Sequence, residues 1–179
     1  MADHLFVITG GPGSGKSSLI DALAHTGLQH MPEAGRAIIQ EQVEIGGRAL
    51  PWADRAAFAE LMLGWELRSY REAQAMPGPI LLDRGVPDVL GYLTLCGLPV
   101  PAHVRTAAAL YRYNRKVFIA PHWPGIFVQD AERKQGTAEA EATCRVMAET
   151  YSNLGYTLIP LPFTSIAERV DFVRTQIAG

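Results

Sequence analysis

Gly10-Gly11-Pro12-Gly13-Ser14-Gly15-Lys16-Ser17 decides how this chain folds. The stretch fits the pattern G-x-x-x-x-G-K-[ST] in full. Before it runs Leu5-Phe6-Val7-Ile8-Thr9, a short apolar run ended by glycines, which reads as a buried strand. After it, Lys16 to His25 reads as a helix closed by Gly27. Between a strand and a helix, glycines let successive backbone N–H groups turn toward one anion, and the helix adds the positive end of its dipole. Lys16 brings a mobile positive charge to the outer phosphates of a nucleotide. Ser17, with Ser18 directly after it, brings a hydroxyl, and Mg²⁺ prefers such hard oxygen ligands.

Outward from the loop, strand and helix alternate. Leu28 to Met31 is a weak second strand, and Glu33 to Ile45 is a helix stopped by Gly46-Gly47. A long helix runs from Ala53 to about Ala75, with Phe58, Leu61, Met62 and Trp65 predicted on one apolar face. Pro79-Ile80-Leu81-Leu82-Asp83 is a third strand, ending in an acid. Helices are predicted over Pro87 to Leu95 and Ala102 to Tyr113, and a fourth strand over Lys116 to Ala120. Residues 121 to 136 read mainly as loop, Thr137 to Leu154 as helix and Tyr156 to Pro160 as a fifth strand. A last helix carries Ile166, Val170, Val173 and Ile177 on one stripe. The pattern predicts an α/β fold with a parallel sheet covered on both faces and ligands at the carboxyl ends of its strands.

Composition bounds what such a fold does here. The chain has 179 residues, within one domain's span, so 1–179 reads as a single domain. Lys plus Arg is 16 and Asp plus Glu is 18, a net charge of −2, which provides no basic field for nucleic acid or membrane phosphates. Cys96 and Cys144 are too few for a disulfide framework or zinc cluster and read as free buried thiols in a reducing cytosol. No basic leader and no long apolar run is present, so a cytoplasmic protein is expected. The five histidines lack metal-ligand spacing.

Asp83-Arg84-Gly85-Val86-Pro87-Asp88, together with the glycine loop, gives the chain a family likeness. It resembles the P-loop nucleoside triphosphate hydrolases and, more narrowly, the small bacterial AAA-like ATPase domain family whose second landmark is D-R-G-x-P-D. Pro32-Glu33-Ala34-Gly35-Arg36 and Tyr111-Arg112-Tyr113-Asn114-Arg115 extend the likeness over nearly the whole chain. In size and layout it is similar to P-loop kinases of nucleosides and small metabolites, such as nicotinamide riboside kinase and the deoxynucleoside kinases. That resemblance implies a five-stranded parallel sheet of order 2-3-1-4-5, with ATP and Mg²⁺ as cofactors.

The resemblance also distributes roles. Asp83 would join Ser17 in holding Mg²⁺, as an acid ending a hydrophobic strand does in relatives, or it caps the next helix. The deoxynucleoside kinases carry Glu-Arg-Ser where this chain has Asp-Arg-Gly, and Arg84 would reach a phosphate or the acceptor, or form a salt bridge. Glu33, after strand two, would take the proton from an acceptor hydroxyl, or is an ordinary acid at a helix N-terminus. Arg36, on the same helical face, would pair with Glu33 or orient the acceptor. The resemblance places an arginine-bearing lid at residues 121 to 140, where Arg133 and Lys134 would meet charge on the transferred phosphoryl group, with Arg145 as a second arginine, or are a solvated basic pair.

Three further features have two readings each. Arg112, Arg115 and Lys116 form either a site for an acceptor's or product's phosphate or a solvated face. Trp65 lies on the apolar stripe, and Trp123 either stacks on a ring or anchors its loop. The expected function is transfer of the γ-phosphoryl group of ATP to a hydroxyl of a small molecule, nucleoside-like or another metabolite. The alternative is an ATPase acting as a regulatory switch, which needs only the loop and Asp83. A GTPase is disfavoured, because Asn114-Arg115-Lys116-Val117 does not fit N-K-x-D and Asp88-Val89-Leu90-Gly91 falls in a helix. The acceptor cleft is expected between the helix after strand two and the helices after strand three. The exposed face of the long helix is where a homodimer would form.

Overall fold

The structure, a computed structural model, describes residues 2–123 and 136–179. The elements are β1 (Leu5–Gly10), α1 (Lys16–His25), β2 (Gln29–Met31), α2 (Ala34–Glu44), α3 (Arg55–Gln74) and β3 (Ile80–Asp83). They continue with α4 (Val86–Leu95), α5 (Ala102–Leu110), β4 (Lys116–Ala120), α6 (Thr137–Asn153), β5 (Thr157–Pro160) and α7 (Ile166–Ala178). The five strands form one sheet in the order β2-β3-β1-β4-β5, and every neighbouring pair is parallel. This is the order expected.

Strand alternation divides the core. Leu5, Val7, Ile80, Leu82 and Val117 face Tyr70 of α3, Tyr151 of α6, Tyr113 and Tyr156. Phe6, Ile8, Leu81 and Phe118 face Leu19, Ile20 and Leu23 of α1 and Val170 and Val173 of α7. Burying each such side chain stabilises the fold by roughly 1.5–3 kcal/mol. Both faces are therefore covered, and the central strands read as continuous apolar runs because neither face meets water.

Register brings the site together. Ile8 of β1 stands beside Asp83 of β3, and Gly10 stands beside Ala120 of β4. The glycine loop and the acid thus leave the sheet side by side. Gly10 has φ +133°, and a Cβ there would lie 2.4 Å from the Ala120 carbonyl oxygen. Gly10→Ala is expected to cost more than the ~1–3 kcal/mol of ordinary overpacking, since backbone rather than a side chain must move. A thermal melt checks this, and an unchanged midpoint would contradict the close approach.

Three expectations need correction. The helix after Pro101 ends at Leu110, so Tyr113 lies beyond it. Tyr113 is fully buried and its hydroxyl oxygen accepts from the Val86 N–H at 3.1 Å, a position that a continued helix would not reach. On the long helix Phe58 is buried and Met62 and Trp65 pack on the core as expected, but Leu61 is 41% exposed, and the buried face also takes in Ala59, Leu63, Glu66, Ser69, Tyr70 and Ala73. Cys96 and Cys144 are free but only half-buried. Among the described residues no helix is long and apolar enough to cross a membrane.

Candidate nucleotide and acceptor site

The loop from Gly10 to Gly15 ends in a left-handed turn at Gly15 (φ +75°), which starts α1 at Lys16. Ser14 Oγ donates to the Gly11 carbonyl at 2.8 Å and pins the loop. Lys16 Nζ folds back over it, donating to the carbonyls of Gly11 at 2.8 Å and Gly10 at 3.4 Å and to Ser14 Oγ at 3.4 Å. The ammonium therefore stays over the cradle, and the side chain is buried rather than at the surface. Ser17 and Ser18, on the first turn of α1, are exposed.

Asp83 ends β3 with its side chain buried. Its Oδ1 has no hydrogen-bond partner among the described residues. Burial, and then the nearby Glu33 carboxylate, push the Asp83 carboxyl above its ordinary range. A buried carboxylate oxygen lacking a donor suits a divalent cation. Asp83 and Ser17 line one cavity, and both offer the hard oxygen that Mg²⁺ takes. Among the described residues no group of three His, Cys, Asp or Glu side chains is placed to hold a metal ion.

Arg84 follows Asp83 in a left-handed backbone conformation, φ +78°, uncommon for a residue with a side chain. Its backbone N–H donates to the Ile8 carbonyl at 3.0 Å, which fixes the turn. The guanidinium spans two acids: Nε donates to Glu33 Oε1 at 3.1 Å and Nη1 to Asp88 Oδ1 at 3.2 Å. Burial opposes its charge, but Glu33, Asp88 and Asp83 outweigh burial and hold it firmly protonated. Of the two readings for Arg84, a salt bridge to the helix-entry acid is what the geometry displays. Glu33 stands just before α2 with no hydrogen bond from its side chain to the helix end.

Asp88, to which the sequence assigned no role beyond closing the D-R-G-x-P-D landmark, is a hub. It accepts from Thr9 Oγ1 at 2.5 Å, Tyr151 Oη at 2.6 Å, the Gly85 N–H at 3.0 Å and Arg84. It thus ties β1, α6 and the turn after β3 to one carboxylate. A Cβ on Gly85 would sit 2.9 Å from the Tyr113 ring, which accounts for glycine where the deoxynucleoside kinases carry serine. Glu66 was also missed. It lies on the buried face of α3, and burial, then Asp88, raise its carboxyl far above the usual range. Its signal was present: residues 59, 63, 66, 70 and 73 share one helical stripe, with an acid in the middle.

Glu66 makes stability pH-dependent. An acid whose folded pKa is raised binds its proton more tightly when folded, so its contribution falls as pH rises above the unfolded value, about 4–5. Glu66→Gln is therefore expected to raise the melting temperature by about 2–4 °C at pH 8, the effect of about 1 kcal/mol in a chain of this size, and by less at pH 5. Melting curves at the two pH values check this. A loss of stability at both would mean that Glu66 works ionised, as a partner of Arg84.

A cavity of about 290 Å³ opens beside the loop, lined among others by Ser17, Asp21, Glu33, Arg36, Gln40 and Asp83. It lies between α1 and α2. The cleft expected between α2 and the helices after β3 is instead filled, where α2, α3 and α4 meet, by Ile38, Phe58, Met62, Trp65 and Tyr92, with the Phe58 and Tyr92 rings 5.5 Å apart. Arg36 lines the cavity, and Glu33 pairs with Arg84. Arg145 is exposed on α6. Arg133 and Lys134 lie outside the described residues. The basic cluster sits at the wrong end of the sheet for a phosphate acceptor: Lys116 begins β4, and its Nζ donates to the Gln176 carbonyl. Arg112 donates to the Leu154 carbonyl and lies 4.1 Å from the Tyr156 ring centre.

Strand order, glycine loop and the acid ending β3 define a P-loop NTPase built like the small nucleoside kinases. A family model of AAA domains matches residues 5–169, and the chain belongs to that family. No protein of curated function matches the sequence. Among solved structures, deoxyadenosine kinase from M. mycoides with dCMP and dCDP is similar at a TM-score of 0.72 and 11% identity, over 97% of this chain and 98% of that one. The NadR protein in complex with NR gives a TM-score of 0.78 at 14% identity, covering 98% of this chain and 52% of NadR. NadR with NAD and AMP-PNP gives 0.69 at 17% identity, covering 98% of this chain and 49% of NadR. At these identities the likeness is one of fold.

Proposed function

We propose that this chain is an ATP- and Mg²⁺-dependent kinase, acting as one domain over residues 1–179, that phosphorylates a hydroxyl of a small molecule, nucleoside-like or another metabolite. One observation carries the reading: a single cavity is lined by the Ser17–Asp83 pair and by Glu33, Arg36 and Gln40. A group that positions a phosphate chain and a group that accepts a proton therefore face the same space. The structural relatives described with deoxynucleotides, NR and AMP-PNP support a nucleotide donor and a nucleoside-sized acceptor.

In this reading the backbone N–H groups of residues 10–17 hold the phosphates, and Lys16 neutralises charge on the outer ones. Mg²⁺ supplies positive charge to the phosphate oxygens, and Ser17 and Asp83 are the residues that would hold it. Glu33 hydrogen-bonds the acceptor hydroxyl and takes its proton as the new O–P bond forms and the bond to ADP breaks. Arg84 keeps the Glu33 carboxylate in position to act as a base. Arg133 is assigned the counter-charge on the transferred group from the sequence alone.

The test is ADP formation from ATP and Mg²⁺, alone and with a panel of nucleosides, nicotinamide riboside, vitamin alcohols and sugars. A rate raised by orders of magnitude by one acceptor is expected and names the substrate. A basal rate that stays flat across the panel favours a nucleotide switch.

A further inference from the structure

Asp88 joins the strand that feeds the glycine loop to the acid before α2. Thr9, the residue ahead of Gly10, is fully buried, and its Oγ1 donates to Asp88 Oδ1 at 2.5 Å. Arg84 Nη1 donates to the same oxygen at 3.2 Å, and Arg84 Nε donates to Glu33 Oε1 at 3.1 Å. An unbroken chain of hydrogen bonds thus runs from Thr9 to Glu33. The other carboxylate oxygen, Asp88 Oδ2, accepts from Tyr151 Oη at 2.6 Å and from the Gly85 N–H at 3.0 Å. With donors on both oxygens, the buried carboxylate is held against rotation.

The sheet does not make this connection. β3 lies between β2 and β1, so no ladder hydrogen bond joins the strand before Glu33 to the strand before the loop. The side-chain chain crosses above the end of β3 instead. Buried ion pairs contribute little net stability compared with apolar residues of the same volume. Arg84 also holds a left-handed backbone, φ +78°, and strain of that kind persists where the surroundings over-determine it, chiefly at functional sites. Phosphoryl transfer needs such a connection, because reacting atoms must sit about 3–3.5 Å apart and aligned, and a displacement of about 1 Å costs on the order of a hundredfold in rate.

We propose that Thr9 and Asp88 are positioning residues that set the distance between the phosphates on the loop and the Glu33 carboxylate, acting through Arg84. This rests on the kinase reading with Glu33 as the base. Both residues are buried and neither lines the cavity, so they touch neither ATP nor the acceptor. Without the Thr9 hydroxyl, Asp88 Oδ1 loses its shortest hydrogen bond, and Arg84 and Glu33 lose their fixed reference to β1. The acceptor hydroxyl, held by its own binding groups, then meets a misplaced base. Water is small and free to move, so hydrolysis of ATP suffers less than transfer.

The test uses the intact protein, Mg²⁺ and ATP labelled at the γ position, with whichever member of the acceptor panel the parent labels most. Label on the acceptor and label as inorganic phosphate are counted separately, and ATP affinity is measured by calorimetry. Thr9→Val keeps the shape of the side chain and removes the donor. It is expected to lower kcat for transfer about ten- to hundredfold, with acceptor KM and ATP affinity unchanged and a larger share of the label released as inorganic phosphate. Thr9→Ser, which keeps the hydroxyl, should restore both rate and partition. Tyr151→Phe removes a donor from the other Asp88 oxygen, should shift the partition the same way, and serves if Thr9→Val does not fold. An unchanged kcat and partition in a folded variant overturns the proposal. A loss that Thr9→Ser does not restore overturns it too, and leaves Thr9 as packing. A loss matched by weaker ATP binding also overturns it, and assigns the hydroxyl to the loop. A parent protein that labels no acceptor overturns the kinase reading itself.

Discussion

Lys16→Ala is expected to reduce phosphoryl transfer about 10²–10³-fold and to weaken ATP and tripolyphosphate alike, the scale seen when one preorganised donor is removed from a developing charge. The ammonium sits over the cradle, within 2.8–3.4 Å of Gly11, Gly10 and Ser14. Bound phosphate oxygens would compete for those same protons. Because the side chain is buried, its loss takes one donor away from the Gly10 and Gly11 carbonyls, and the variant's melting curve must accompany its kinetics. Lys16→Met fills the apolar part of the space and controls for packing. A folded variant with full ATP affinity would remove the loop from the mechanism.

Glu33→Gln is expected to lower turnover about 10²–10⁴-fold, the range for losing a general base, with ATP affinity unchanged. Glutamine still offers an oxygen to Arg84 Nε, so the 3.1 Å contact and the strained Arg84 turn survive. Only proton acceptance is lost. Glu33→Ala would instead leave the Arg84 guanidinium with Asp88 alone, mixing a positioning defect with the chemical one. Single-turnover and binding measurements separate the two. Undiminished turnover in Glu33→Gln would leave Glu33 as nothing more than Arg84's anchor.

The glycine loop and the order of elements were legible because their causes are local. Residues 10–17 carry their own backbone requirements, and apolar runs announce strands that water does not touch. Sheet order came from resemblance, not from periodicity, and the register agrees with it. What stayed hidden depends on distant partners. Asp88 meets Thr9 from 79 positions away and Tyr151 from 63. Arg169 meets Ser14 across 155. No window of sequence holds both members of such a pair. Glu66 was hidden differently, because the stripe drawn through Phe58, Leu61, Met62 and Trp65 covers one flank of the buried face of α3 and stops short of residues 66, 70 and 73. The two readings of the basic residues around Lys116 stayed open in the sequence because composition does not say which end of a strand they occupy. The cleft expected between α2 and the helices after β3 was wrong because Phe58 and Tyr92 fill the space where α2 meets α3 and α4.

The central claim is that Glu33 and the glycine loop serve one transfer to an organic hydroxyl. Following the label from ATP carrying ³²P at the γ position, with each acceptor of the panel and without any, tests it most directly. The account predicts that the label leaves ATP on the acceptor in the parent protein and stays on ATP in Lys16→Ala and Glu33→Gln. Label appearing only as inorganic phosphate, at the same rate with and without every acceptor, would contradict it.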